Sequence, residues 1–229
     1  MSKSTIKALI FDMDGVLIDS EPLHLIAYQQ FLAGLGKVYE KGHNDQFLGR
    51  KDTEIAPLII SSFDLSISPE KLITGKDTIL FRLIKETPEP MPGVLALLEA
   101  SRALGLKIGL ASSSKIKAIE LIVTCLGIKD YFSTLTSGDE VEHGKPAPDI
   151  FTLAARRLDT EPHNCLVIED SQNGVKAAKS AGMNCLAVPC EATRHQDHSQ
   201  ADLIVSNLLD LDLVSMLGYQ TGATISDTL

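Results

Sequence analysis

Lys7-Ala8-Leu9-Ile10-Phe11-Asp12-Met13-Asp14-Gly15-Val16 is the stretch on which the fold is read. Its first half is a continuous apolar run, the pattern of a strand covered on both faces. Its second half places two carboxylates and a glycine directly beyond that strand. Open α/β sheets bind ligands beyond the carboxyl ends of their strands. Asp12 and Asp14 therefore stand where chemistry is expected. The plain alternative is a polar turn, with Asp and Gly chosen for their dihedral preferences.

Similar runs recur at Lys107–Ala111, Thr134–Thr136, Cys165–Ile168, Cys185–Val188 and Leu203–Val205, with helix signals between them. Val94–Leu104 follows Pro92-Gly93, carries apolar residues at 94, 97, 98 and 104, and stops at Gly105. Ser114 is placed to cap a helix with Ile116, Ile119, Val123 and Leu126 on one stripe, ending at Gly127. Pro148 opens a helix through Arg157, with Ile150, Ala154 and Leu158 four apart, and Ser171 caps one through Ala181 before Gly182. Caps, stripes and terminal glycines agree. Strands alternating with helices predict an α/β fold with a doubly wound, parallel, Rossmann-like sheet.

Residues 20 to about 88 break the rhythm. Ser20 can cap a helix with Leu23, Ala27, Phe31 and Leu35 four apart, and helix-like stretches follow near Lys51–Phe63 and Pro69–Glu86. The region ends in the proline-stiffened Thr87-Pro88-Glu89-Pro90-Met91-Pro92. It reads as an all-helical domain, 19–88, inserted into an α/β core made of 1–18 and 89–217. The small, polar stretch 218–229 is expected to fray.

The 229 residues carry 21 Lys and Arg against 30 Asp and Glu, a formal charge of −9. An apolar fraction of 44% and a charged fraction of 22% exclude global disorder. The acidic balance argues against non-specific binding to nucleic acid or anionic membrane. Ala8–Phe11 is too short for a secretory core or a membrane span. Cys125, Cys165, Cys185 and Cys190 form no CxxC pair and fit reduced, mostly buried thiols. The expectation is a cytoplasmic, monomeric protein with no nucleic-acid or membrane partner.

Further strand ends add chemistry to the first. Ala111-Ser112-Ser113-Ser114 brings hydroxyls and free backbone N–H groups to a helix start, which suits phosphate, although one capping serine would explain it equally. Gly144-Lys145-Pro146-Ala147-Pro148-Asp149 holds a lysine in a stiff loop, where it can neutralise developing phosphoryl charge. Ile168-Glu169-Asp170-Ser171 adds two carboxylates, and with Asp12 and Asp14 they make an oxygen-rich cluster suited to Mg²⁺. The alternative there is a turn and a cap. His195, Asp197 and His198 form a short polar cluster after Cys190, read as a loop rather than a second metal site.

These motifs, in this order and spacing, resemble the haloacid dehalogenase-like superfamily, in the branch that holds β-phosphoglucomutase and small sugar-phosphate phosphatases. The likeness is specific in the core and looser from about Gly36 to Pro88. It implies that Asp12 is the nucleophile, forming an aspartyl-phosphate, and that Asp14 protonates the leaving alcohol and then activates water. It implies that Ser112, its neighbour Ser113 and Lys145 bind the phosphoryl group. Mg²⁺ would be held by the Asp12 carboxylate, the Asp14 carbonyl and Asp170, with Glu169 close by. The inserted helices resemble the family's cap, with His24 at the position of a family histidine near the acid/base Asp. Arg50 and Lys76 are candidates for the substrate's polar groups, and for each a solvated charge is the plain alternative.

Three functions remain open on sequence. The preferred one is a Mg²⁺-dependent phosphatase acting on a small phosphorylated metabolite, a sugar phosphate above all. A phosphomutase uses the same aspartyl-phosphate and hands the phosphate to a second hydroxyl. A phospho-acceptor signalling domain is disfavoured, because Asp12 lies on the first strand and receivers carry no insert. Dehalogenation is disfavoured because halide needs no proton, which leaves Asp14 without a task.

Overall fold

The computed structural model describes residues 6–45, 52–86 and 88–217. The first strand, β1 (Ala8–Phe11), is followed by α1 (Glu21–Ala33), α2 (Lys41–Asp45), α3 (Asp52–Ser62) and α4 (Pro69–Glu86). The chain then alternates: α5 (Val94–Ala103), β2 (Lys107–Ser112), α6 (Ile116–Cys125), β3 (Thr134–Ser137), α7 (Asp149–Arg157), β4 (Cys165–Glu169), α8 (Gln172–Ser180), β5 (Asn184–Ala187), β6 (Leu203–Ile204) and α9 (Leu213–Leu217). The strands form one parallel sheet in the order β3-β2-β1-β4-β5-β6. The order reverses at β1, so the end of β1 is the switch point where such sheets open a crevice.

The continuous apolar runs are explained by helices on both faces. Leu9 and Phe11 enter one buried cluster with Ile108, Leu110, Leu166, Ile168 and Leu186, covered by α5 and α6. Ala8 and Ile10 enter the other, with Val167, Cys185, Ile150, Phe151 and Val175, covered by α7 and α8. Each large side chain buried this way contributes about 1.5–3 kcal/mol.

The helices before α5 make their own cluster of Tyr28, Leu32, Tyr39, Ile55, Ala56, Ile59 and Leu72. Farther along α4, Leu80 and Ile84 join the sheet-side cluster, as does Ala27 of α1. The Leu23–Ala27–Phe31–Leu35 stripe holds in part: Ala27 is buried, Leu23 and Phe31 pack against the two clusters, and only Leu35 departs from it. The buried residues of α1 are Ala27, Tyr28 and Leu32, whereas Leu35 is exposed. The helix is apolar on adjacent faces and packs against two clusters at once, so Tyr28 and Leu32 are buried beside the stripe. None of the described helices is long and apolar enough to cross a membrane. All the cysteines are free, and burial pushes the Cys165 and Cys185 thiols up to about 11 and about 12.

Candidate active site

The Asp12 N–H donates to the Ile168 carbonyl at 2.9 Å, tying the end of β1 to β4. The chain then turns sharply, with Leu17 N bonded to the Met13 carbonyl and Gly15 N to the Ile18 carbonyl, each at 2.8 Å. Gly15 sits at φ +77°, and a Cβ there would run into the Asp170 carboxylate. Glycine is thus required twice over, by dihedral and by space.

Lys145 reaches this point from the loop before α7. Its Nζ lies 2.6 Å from Asp12 Oδ1 and 2.6 Å from Glu169 Oε1. The other oxygen of Glu169 accepts from Ser171 N at 2.8 Å and Ser171 Oγ at 3.0 Å. Ser171 also caps α8, accepting from Gly174 N. Glu169 is fully buried, and it fits because residue 174 has no side chain: a Cβ there would overlap its carboxylate. Gly174→Ala is therefore expected to displace Glu169 and, through it, Lys145. A shift of about 1 Å in such a group costs on the order of 100-fold in kcat/KM. Adding Glu169→Asp, which shortens the side chain, should restore part of that loss; the double variant's steady-state kinetics check it.

Burial pushes the Asp12 carboxyl well above the usual range. Lys145 pulls it back, while Glu169, Asp170 and Asp14 push with burial. Burial, then the charge of Glu169, pushes Asp170 up to about 7, against hydrogen bonds from Cys190 and Thr193. Burial disfavours charge on Lys145, yet Asp12 and Glu169 outweigh it and hold the ammonium protonated. The pocket sets four carboxylates against one ammonium and is short of positive charge. Asp12, Glu169 and Asp170 each offer an oxygen, all within 4.8 Å of one another. Such a buried, all-oxygen set suits a hard divalent cation, which would restore the ionised forms.

Two serines expected as caps do other work. Ser20 sits at the start of α1 but makes no side-chain cap; its hydroxyl donates to Asp14 Oδ1 at 2.6 Å. Ser114 likewise caps nothing, since α6 starts after Lys115, and it donates to Asp14 Oδ2 at 3.3 Å. A carboxylate is the stronger acceptor, so both hydroxyls turn to it. Ser112 is fully buried, and its Oγ accepts from Ser114 N at 3.1 Å. Ser137 Oγ, at the end of β3, braces the same loop through the Ser114 carbonyl at 2.8 Å. Ser113 is exposed.

The site is thus an acid pair at the switch point, one member on a buried lysine and the other between two hydroxyls. Residues 6–182 match the family model of haloacid dehalogenase-like hydrolases. The chain belongs to the haloacid dehalogenase-like hydrolase family. It is 35% identical over 181 residues to the phosphorylated carbohydrates phosphatase of Thermotoga maritima, covering 77% of this chain and 82% of that protein. The structure of CbbY from Rhodobacter sphaeroides in complex with phosphate superimposes with a TM-score of 0.84 at 27% identity, over 93% of this chain and 99% of that one. The β-phosphoglucomutase of Clostridium difficile superimposes with a TM-score of 0.78 at 29% identity, over 93% and 96%.

In this haloacid dehalogenase-like chain the inserted helices carry a second polar network. Lys76 is fully buried, not solvated as its sequence reading allowed. Its Nζ pairs with Asp52 at 2.6 Å and Asp77 at 2.8 Å, and lies 3.4 Å from His24 Nδ1. An ammonium only donates, so His24 Nδ1 accepts and the ring proton sits on Nε2. Burial and the Lys76 charge hold the His24 pKa down, against a pull from Asp14, Asp52 and Asp77. Tyr28 Oη donates to the other Asp52 oxygen at 3.1 Å. Asp52 was missed on sequence, where nothing marks it as the partner of Lys76 and Tyr28. Arg50 lies outside the described residues. His195 and Asp197 are exposed, whereas His198 is buried against the Asp170 backbone. Among the described residues the only acid or histidine cluster with ligand geometry is Asp12, Glu169 and Asp170, and the His195–His198 segment is a loop.

Proposed function

We propose that the chain is a Mg²⁺-dependent phosphatase that hydrolyses a small phosphorylated metabolite, a sugar phosphate, through an aspartyl-phosphate on Asp12. The observation that carries this reading is the Lys145 ammonium bridging Asp12 and Glu169 at the end of β1, where Asp12, Glu169 and Asp170 cluster with more negative than positive charge. Relatives named for action on phosphorylated carbohydrates support the substrate class.

The roles follow from charge. A carboxylate attacks a phosphate dianion poorly, because like charges repel. Mg²⁺, which the Asp12 carboxylate, the Asp14 carbonyl and Asp170 would hold, supplies the neutralising charge when bound. Lys145, with Ser112 and the adjoining Ser113, binds the phosphoryl oxygens. Glu169 keeps Lys145 in place and adds its charge to the cation site. An Asp12 oxygen then bonds to phosphorus as the P–O bond to the substrate breaks, and protonated Asp14 gives its proton to the leaving alkoxide. Asp14, now a carboxylate, takes a proton from water; the water oxygen bonds to phosphorus, and Asp12 departs as inorganic phosphate forms. Ser20 and Ser114 hold Asp14 through both halves.

Residues 19–88 are assigned as a cap over a core of 1–18 and 89–217, with His24 and Arg50 as candidate contacts for the rest of the substrate and the buried Lys76 acting behind His24 rather than on the substrate itself. A cap of this kind excludes water and selects the sugar. The test is incubation with Mg²⁺ and a panel of sugar phosphates, reading both inorganic phosphate and isomerised product. Phosphate release supports the proposal. A β-hexose 1-phosphate returned as its isomer, with no free phosphate, replaces it with the mutase reading, which the likeness to a solved β-phosphoglucomutase favours.

A further inference from the structure

Asp170 is embraced by a segment that the reaction does not use. Residues 190–198 follow β5 and fold into consecutive turns, with Thr193 N and Arg194 N both bonded to the Cys190 carbonyl and Gln196 N to the Thr193 carbonyl. The side chains of Cys190, Thr193, Gln196 and His198 all land on residues 170–172. Thr193 Oγ1 donates to Asp170 Oδ2 at 3.0 Å, and Cys190 Sγ lies 3.3 Å from the same oxygen. The Thr193 hydroxyl cannot turn away easily, since it accepts from Cys190 N at 3.1 Å, which leaves its own proton for Asp170. His198, buried, lies with Nε2 2.7 Å from the Asp170 carbonyl oxygen. A carbonyl only accepts, so Nε2 carries the proton. Gln196 Oε1 accepts from Gln172 N at 2.8 Å, closing the grip on the first turn of α8.

The geometry points to residues 190–198 as a clamp that sets the cation affinity of the acidic site. Thr193 and His198 are its positioning residues. The clamp engages one carboxylate oxygen and the backbone of Asp170. Its Oδ1 is left outside these bonds, and the side chain cannot rotate without breaking them. A ligand so fixed loses little freedom when a cation arrives, and partners of this kind are worth about 10–100-fold in metal affinity. Gly15 completes the arrangement, because a Cβ there would crowd both Asp170 and Cys190.

The inference rests on the reading of Asp170 as a cation ligand, and the experiment separates the two. Mg²⁺ is titrated calorimetrically into the metal-free full chain, without substrate, for wild type, Asp170→Asn, Thr193→Val, Thr193→Ser and His198→Ala. Thermal midpoints in EDTA are measured on the same samples. Wild type is expected to bind, Asp170→Asn to lose binding, Thr193→Val and His198→Ala to weaken it about 10–100-fold, and Thr193→Ser to stay near wild type. Should Thr193→Val and His198→Ala bind Mg²⁺ like wild type, shifting only the thermal midpoint, while Asp170→Asn fails to bind, the clamp is refuted and the cation site stands. Should wild type bind no Mg²⁺, or Asp170→Asn bind as well as wild type, the ligand reading falls and the clamp with it.

Discussion

Replacing Asp12 with asparagine is expected to abolish phosphate release while leaving the fold as stable as before or more so. Asparagine keeps the shape and an oxygen that can still accept from Lys145 Nζ, now 2.6 Å from Asp12 Oδ1. What it lacks is the charge and the nucleophilic oxygen pair. Without a nucleophile the covalent route is closed, and losses on the order of 10⁴-fold or more in kcat are usual for such residues. The stability half of the expectation follows from the same pocket. Burial and then the neighbouring acids push the Asp12 carboxyl up, with Lys145 alone resisting, so the folded protein is strained by that charge and not held together by it. Removing it should leave the thermal midpoint in EDTA unchanged or raised. Phosphate release, mass spectrometry for a phosphoryl adduct, and a melting curve on one sample check both halves. Turnover within a hundredfold of wild type would remove Asp12 from its role; a collapsed melting curve would mean that its charge is structural.

What was legible in the sequence was what local chemistry dictates. Apolar runs of Ile, Val and Leu read as strands because both faces of each are covered, and strand ends in such a sheet converge on one crevice. Asp12, Lys145, Glu169 and Asp170 could be set near one another before any coordinates, and the structure brings them together. What failed was the destination of polar groups with several partners in reach. Ser20 and Ser114 both stand at helix starts, where capping is the local expectation, and nothing in the chain says that Asp14 will lie nearer than the helix N–H groups. Lys76 looks solvated until Asp52, 24 residues away, is folded against it. Thr193 and His198 sit in a segment with no periodicity at all, and their partner lies 23 and 28 residues back. The incomplete reading of the buried face of α1, which lacked Tyr28 and Leu32, has the same origin. Its apolar residues serve two clusters, and a single-stripe reading has no means of weighing one against the other.

Lys145→Met is expected to damage both stability and turnover, and to make the first depend on added cation. Methionine fills much of the lysine stem's volume but leaves Asp12 and Glu169 with no countercharge. Glu169 has no exposed surface, so it cannot recover its hydration. Removing one partner of a buried pair costs about 3–5 kcal/mol, because the other stays buried and charged. At this chain length that lowers the thermal midpoint in EDTA by roughly 10 °C. The pH dependence has a definite sign. Asp170 already stands at about 7 against an ordinary 3.8, with Lys145 among the groups that lower it, and Asp12 is raised as well. Carboxyls with raised folded pKa values stabilise the fold below the ordinary carboxylate range, and that stability is lost as pH climbs through the folded value. Metal-free Lys145→Met should therefore fall in stability between about pH 4 and pH 7 more steeply than wild type, whose ammonium offsets part of the repulsion. Mg²⁺, by neutralising the same oxygens, should raise the midpoint of the variant more than that of wild type. It should not restore turnover, since the phosphoryl group would still lack its ammonium partner, a loss on the order of 10²–10³-fold in kcat. Melting curves across pH, with EDTA and with Mg²⁺, decide it. Equal midpoints for variant and wild type in EDTA at pH 7 would show that the two 2.6 Å ion pairs carry no net stability, and that Lys145 acts on substrate alone.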